Sequence, residues 1–180
     1  MFLYKVDEQL SLKLMEVDDA EQLFELIEKS HDYLRQWLPW LDLTTTLEDT
    51  RLFIQAAKMD SAEGKSLNAA IVWNGKIVGM AGFSSIDQIK RIAKIGYWLA
   101  PEFQGSGMMT TVVKALTDYA FAGMSLDKVE IRVATENAKS RAIPVRLGYT
   151  EEATLPHAEW LYDHYVDHVV YTMRAEEWNQ

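Results

Sequence analysis

The chain has 180 residues, 48% of them apolar and 25% charged, the balance of a globular protein that buries its own core rather than a disordered tail or a staple-dependent scaffold. Eighteen Lys and Arg against 27 Asp and Glu leave 18 − 27 = −9, which argues against a nucleic-acid partner held through its phosphates. No cysteine is present, so disulfides, thiol nucleophiles and cysteine-ligated metals are excluded, and a reducing, cytoplasmic setting is expected.

The first residues, Met1-Phe2-Leu3-Tyr4-Lys5-Val6-Asp7-Glu8, carry early acids and no apolar leader core. No later run approaches the ~18 apolar residues of a membrane span, so no membrane partner is expected. The four prolines are scattered and no repeat or low-complexity linker divides the chain, which is read as one domain over 1–180.

Leu10, Leu12 and Leu14 alternate with polar residues as a first strand, and Asp18-Asp19 then opens a helix containing Leu23, Leu26 and Ile27. His31 to Leu41, with Tyr33, Trp37 and Trp40 around Pro39, forms a short helix and a turn. Thr45 and Glu48 make a capping box for a helix from about Leu47 to Ala62, with Leu52, Phe53 and Ala56 among its apolar residues. Asn74-Gly75 between two apolar runs, Leu67 to Trp73 and Lys76 to Phe83, is a strong hairpin signal because both turn positions need positive φ. Arg91 to Leu99 adds a third strand to this meander. Gly107 to Ala122 places Met109, Val112, Val113, Leu116 and Ala120 on one helical face, with Gly123 as its stop. A strand at Val129, Ile131 and Val133, a helix from Ala138 to Leu147, and two strands after Thr150 complete the order βααβββαβαββ. That order predicts an α+β domain with a central mixed sheet.

The stretch Tyr97-Trp98-Leu99-Ala100-Pro101-Glu102-Phe103-Gln104-Gly105-Ser106-Gly107-Met108-Met109-Thr110 carries a strand into a glycine-containing loop that opens a helix. Such a loop can capture an anion, since Gly105 and Gly107 let backbone N–H groups approach it and the helix N-terminus adds partial positive charge; an ordinary strand-to-helix turn is the competing reading. No Lys-Ser or Lys-Thr follows Gly107, which removes a Walker loop, and Thr110 stands where a dinucleotide fingerprint needs a third glycine or alanine.

Gln104-Gly105-Ser106-Gly107-Met108-Met109 resembles the pyrophosphate loop Gln/Arg-x-x-Gly-x-Gly/Ala of the GCN5-related N-acetyltransferases (GNAT), all but the last position matching. Asn137-Ala138-Lys139-Ser140 with Leu147-Gly148-Tyr149 resembles the next motif of that family. Trp37-Leu38-Pro39-Trp40, Ile95-Gly96-Tyr97-Trp98 and Glu159 to Tyr165 are similar to the RimJ/RimL type, which acetylates ribosomal proteins.

The resemblance implies a GNAT-like sheet, mixed but mostly antiparallel, flanked by helices, and acetyl-CoA as co-substrate. Pantetheine would lie along the backbone of Trp98, Leu99 and Ala100, between this strand and the one at Val129 to Val133. The pyrophosphate would sit on the amides from Gln104 through Gly105, Ser106, Gly107, Met108 and Met109 to Thr110. An amide near Leu99 would polarise the thioester carbonyl, and Asn137 would touch the pantetheine arm. Ser140 is the implied proton donor to the leaving thiolate, because Pro144 stands where many members have Tyr; a helix-capping hydroxyl is its plainer role. The resemblance also puts Lys94 where a Glu is usual, leaving Glu130, Glu136 and Glu159 as bases through water or as plain surface acids. Trp37, Trp40, Tyr162 and Tyr165 could wall an acceptor cleft or simply pack. No metal is expected, since His164 and His168 lack a third ligand. A protein N-terminal α-amine is the leading acceptor, a polyamine or aminoglycoside and a CoA-responsive binding module are the alternatives, and a homodimer is expected by similarity.

Overall fold

Asn74 and Gly75 both take positive φ, 49° and 81°, and fold β3 (Leu67–Trp73) back on β4 (Lys76–Asp87) as the expected hairpin. The structure is a computed structural model that describes residues 3–178; Met1 and Phe2 of the N-terminal reading lie outside the described residues. Before the hairpin come β1 (Leu3–Lys5), β2 (Leu10–Leu14), α1 (Ala20–Lys29), α2 (His31–Arg35) and α3 (Leu47–Ala62). After it come β5 (Ile92–Leu99), α4 (Met108–Asp118), β6 (Lys128–Ala134), α5 (Ala138–Arg146), β7 (Thr150–Leu161) and β8 (His164–Arg174).

The order therefore gains a strand at its front, and the short aromatic helix α2 stands as an element of its own. β1 was not foreseen because three residues carry no period; it forms on the open edge of β2, Tyr4 opposite Leu12. The capping box of α3 sits one residue later than expected: Asp49 N donates to Thr46 Oγ1, and Asp49 Oδ2 accepts from Thr46 N, both at 3.1 Å. Leu52, Phe53 and Ala56 are exposed, while Thr50, Ile54 and Ala57 form the buried stripe of α3. Those three apolar residues thus do not mark the packed face of the helix; contact with α1 and β3 does. Gly123 is not a left-handed stop either. It lies in a π-helical turn, Tyr119–Gly123, where a Cβ would meet the Tyr119 ring at 2.8 Å, and the positive φ falls on Ser125.

The strands form one sheet in the order β1-β2-β3-β4-β5-β6-β8-β7, antiparallel throughout except for the parallel pair β5–β6. One face is covered by α4 and α5, where Val112, Val113 and Leu116 pack on Phe83, Ile95, Ile131 and Tyr171. The other is covered over β2–β4 by α1 to α3, whose Leu23, Leu34 and Ile54 pack with Ala70 and Met80. Among the described residues no helix is long and apolar enough to cross a membrane.

Candidate active site

The parallel pair opens a slot in the sheet. β5 and β6 are in register only from Ile92 opposite Lys128 to Ile95 opposite Ile131. Beyond that point Gly96 to Leu99 stay paired with β4, and Arg132 to Ala134 with β8, so the two strands part. Ala100 N donates to Val78 O at 3.0 Å. The alternation of an antiparallel pair then turns the N–H and C=O of Leu99 away from β4 and into the slot. Of the three residues expected to offer backbone to pantetheine, Leu99 is the one so placed; Ala100 has its amide committed to β4, and Trp98 faces the same strand by the same alternation.

The slot runs into a cavity of ≈ 600 Å³ whose wall includes Trp98, Leu99, Gln104, Gly105, Gly107, Met108, Met109, Thr110, Asn137 and Ser140. Ala100 and Ser106 are not part of that wall: Ala100 is wholly buried and Ser106 is exposed. Gly105 and Gly107 have φ of 88° and 80°, the left-handed region that disfavours any side chain. Gly107 is the N-cap of α4 and no side chain caps this helix, so its first-turn N–H groups are left for an outside acceptor. The Gln104 side chain has a bracing role the sequence did not reveal. Its Nε2 donates to Leu99 O at 2.9 Å and to Tyr33 Oη at 2.8 Å, tying the loop to the strand end and to α2.

Asn137 is the N-cap of α5, and its Oδ1 accepts from Ser140 N at 3.3 Å. Tyr97 donates from its hydroxyl to Ser140 O at 2.9 Å. Burial pushes the Tyr97 phenol well above its usual range, so it is protonated at neutral pH. Lys139 and Arg146 also reach the cavity wall, seven residues apart on α5. That spacing, two helical turns, was the available signal for this cationic edge.

Three carboxylates were open as bases, and the fold treats them differently. Glu130 lies opposite Lys94 in the β5–β6 register and 3.4 Å from the Arg132 guanidinium. Glu136 is exposed in the turn before α5. Glu159 is partly buried on β7, 3.7 Å from His168 Nε2, and desolvation raises its pKa while the imidazole opposes the shift. The aromatic residues also separate. Trp37 lines the cavity. Trp40 stacks on Phe53 with centroids 6.4 Å apart. Tyr162 lies under the Arg35 guanidinium, 3.7 Å from the ring centroid, donates to Leu38 O and accepts from Leu41 N, so it clasps the β7–β8 tip to the segment after α2. Tyr165 is exposed and packs on His157 and Trp160. No group of three or more His, Asp or Glu side chains suited to a metal occurs among the described residues.

The model of the acetyltransferase (GNAT) domain family matches residues 9–150. The chain belongs to the GNAT acetyltransferase family. It is 34% identical over 179 residues to YdaF of Bacillus subtilis (strain 168), a candidate ribosomal N-acetyltransferase by name, covering 99% of this chain and 98% of that one. It is 30% identical to the ribosomal-protein-serine acetyltransferase of Escherichia coli (strain K12), covering 91% of each chain. Among solved structures it is similar to RimL, named as the ribosomal L7/L12 alpha-N-protein acetyltransferase, in complex with coenzyme A. That likeness has a TM-score of 0.91, 29% identity, and covers 96% of this chain and 98% of RimL. The enzyme is an N-acetyltransferase that uses acetyl-CoA, and the uncapped α4 N-terminus, the left-handed glycines and the β5–β6 slot fit that molecule's phosphates and thioester arm.

Proposed function

We propose that residues 1–180 act as one domain that transfers acetyl from acetyl-CoA to the α-amine of a protein N-terminus, that of a ribosomal protein foremost. The observation that carries this reading is likeness along nearly the whole chain to proteins named for ribosomal-protein acetylation. Bound acetyl-CoA supplies the acyl thioester. The Leu99 N–H, turned into the slot, draws charge onto the acyl oxygen as the amine adds. The C–N bond forms and the C–S bond breaks; Ser140 gives its proton to the sulfur and takes one back from solvent water, and the proton lost by the amine passes through water to Glu159, which releases it to solvent. Shelter suits Glu159 to this role, because a carboxylate with a raised pKa is the stronger base. An α-amine with pKa near 8 is about 10% neutral at pH 7, against roughly one part in 2,500 for a lysine side chain, so a base acting through water suffices for the former.

A panel of N-terminal peptides, led by Ser- and Ala-initiated ribosomal sequences, tests the acceptor class by mass spectrometry. Acetylation on the α-amine is expected; transfer to lysine side chains alone would overturn it. A small polyamine is the second reading, favoured by the net charge of −9, which attracts cations. CoA release with spermidine but with no peptide would establish it instead.

A further inference from the structure

Helix α5 runs from Ala138 to Arg146 with Pro144 inside it. Proline has no N–H, so the hydrogen bond that residue 144 would send back one turn to Ser140 O cannot form. An unmet carbonyl in a sheltered place is costly. Here the Tyr97 hydroxyl, arriving from β5 across the slot, donates to that carbonyl at 2.9 Å. Ser140 is thus held by both of its backbone groups and by two different elements: its N–H by the Asn137 side chain of its own cap, its C=O by a strand. Its hydroxyl makes no hydrogen bond to the other described residues, and Ser140 lines the same cavity as Tyr97.

We propose that Tyr97 is a positioning residue for Ser140, and that Pro144 frees the carbonyl through which it acts. The inference rests on the reading of Ser140 as proton donor to the leaving sulfur. Tyr97 does not itself give up the proton: its hydroxyl hydrogen is committed to Ser140 O, and burial keeps the phenol protonated. What it fixes is the distance between the first turn of α5 and β5, which both border the cavity in which sulfur and hydroxyl must meet. A donor held a fraction of an ångström off line loses rate without losing ligand.

Tyr97→Phe removes only the hydroxyl. In steady-state CoA release with a peptide acceptor it should lower kcat about tenfold and leave KM for acetyl-CoA within about twofold. Pro144→Ala returns an N–H to the helix, so the double variant Y97F/P144A should recover most of the lost kcat. The Ser140 and Arg141 amides, faster in hydrogen exchange in Y97F, should slow again in the double variant. Because Tyr97 acts through Ser140, Y97F/S140A should be no slower than S140A. Losses that multiply in Y97F/S140A, a Y97F effect confined to KM, or no rescue by P144A would overturn the positioning role while leaving Ser140 as donor. An S140A enzyme with unchanged kcat would overturn the donor reading itself, and this inference with it.

Discussion

Replacing Gly107 by Ala tests whether the loop before α4 holds the phosphates of acetyl-CoA. Gly107 has φ of 80°, and a Cβ there would meet nothing within 4 Å, so the cost in the free protein is the left-handed backbone alone. That cost is roughly 1–2 kcal/mol, which lowers Tm by about 2–8 °C in a domain of this size. Ligand adds a second effect. Acetyl-CoA at ~100 times its Kd stabilises the native protein by about 2.7 kcal/mol, a rise of about 5–11 °C. In G107A the backbone can relieve its strain by turning the first amides of α4 away from their common focus, and the methyl group occupies the open side from which a phosphate approaches. Thermal unfolding with and without acetyl-CoA should therefore show a full upward shift for the native protein and a shift reduced to less than about a third in G107A. An equal shift in both would refute the reasoning and return residues 104–109 to the role of a helix-opening turn.

Glu159→Gln should lower kcat/KM at neutral pH by about a hundredfold and remove from the acid side of the pH profile the limb set by this carboxyl, which burial raises, while leaving the limb set by the acceptor α-amine. The same shift has a stability sign: a carboxyl raised in the folded state weakens the fold as pH rises through its folded pKa. Gln at 159 should therefore gain on the native residue toward neutral pH in urea titrations and show no such advantage at pH 3. Tyr162→Phe leaves Leu38 O and Leu41 N without their shared partner, and should cost about 1–3 kcal/mol by denaturant titration while raising KM for the acceptor more than for acetyl-CoA. Asn137→Ala removes the α5 cap and should cost about 1 kcal/mol, with faster hydrogen exchange confined to the first turn of α5.

Much of this architecture was legible in the residues because its signals are local. Asn74-Gly75 needs positive φ wherever it occurs, Val129, Ile131 and Val133 alternate whatever lies beside them, and the cavity loop was visible as a strand, two glycines and a helix start. The reading erred where a neighbour decided. Leu52 and Phe53 are apolar yet exposed, because the contact of α3 with α1 and β3 selects Ile54 and Ala57. β1 exists only because β2 offers it an edge.

The candidate site divides in the same way. Motif by itself pointed to the glycine loop before α4 and to Asn137 and Ser140 at the start of α5, since each depends on backbone geometry set within a few residues; that the Asn137 side chain caps α5 was not read from the sequence. Tertiary structure alone decided that Leu99 faces the slot while Ala100 does not, that Tyr162 is a clasp under Arg35, and that Glu159 is the carboxylate beside an imidazole. It also decided that Tyr97 meets the carbonyl Pro144 leaves free, 43 residues along the chain. Hydrogen bonds and desolvation act over a few ångströms of space, and no spacing in the sequence states which distant residues the sheet will bring that close.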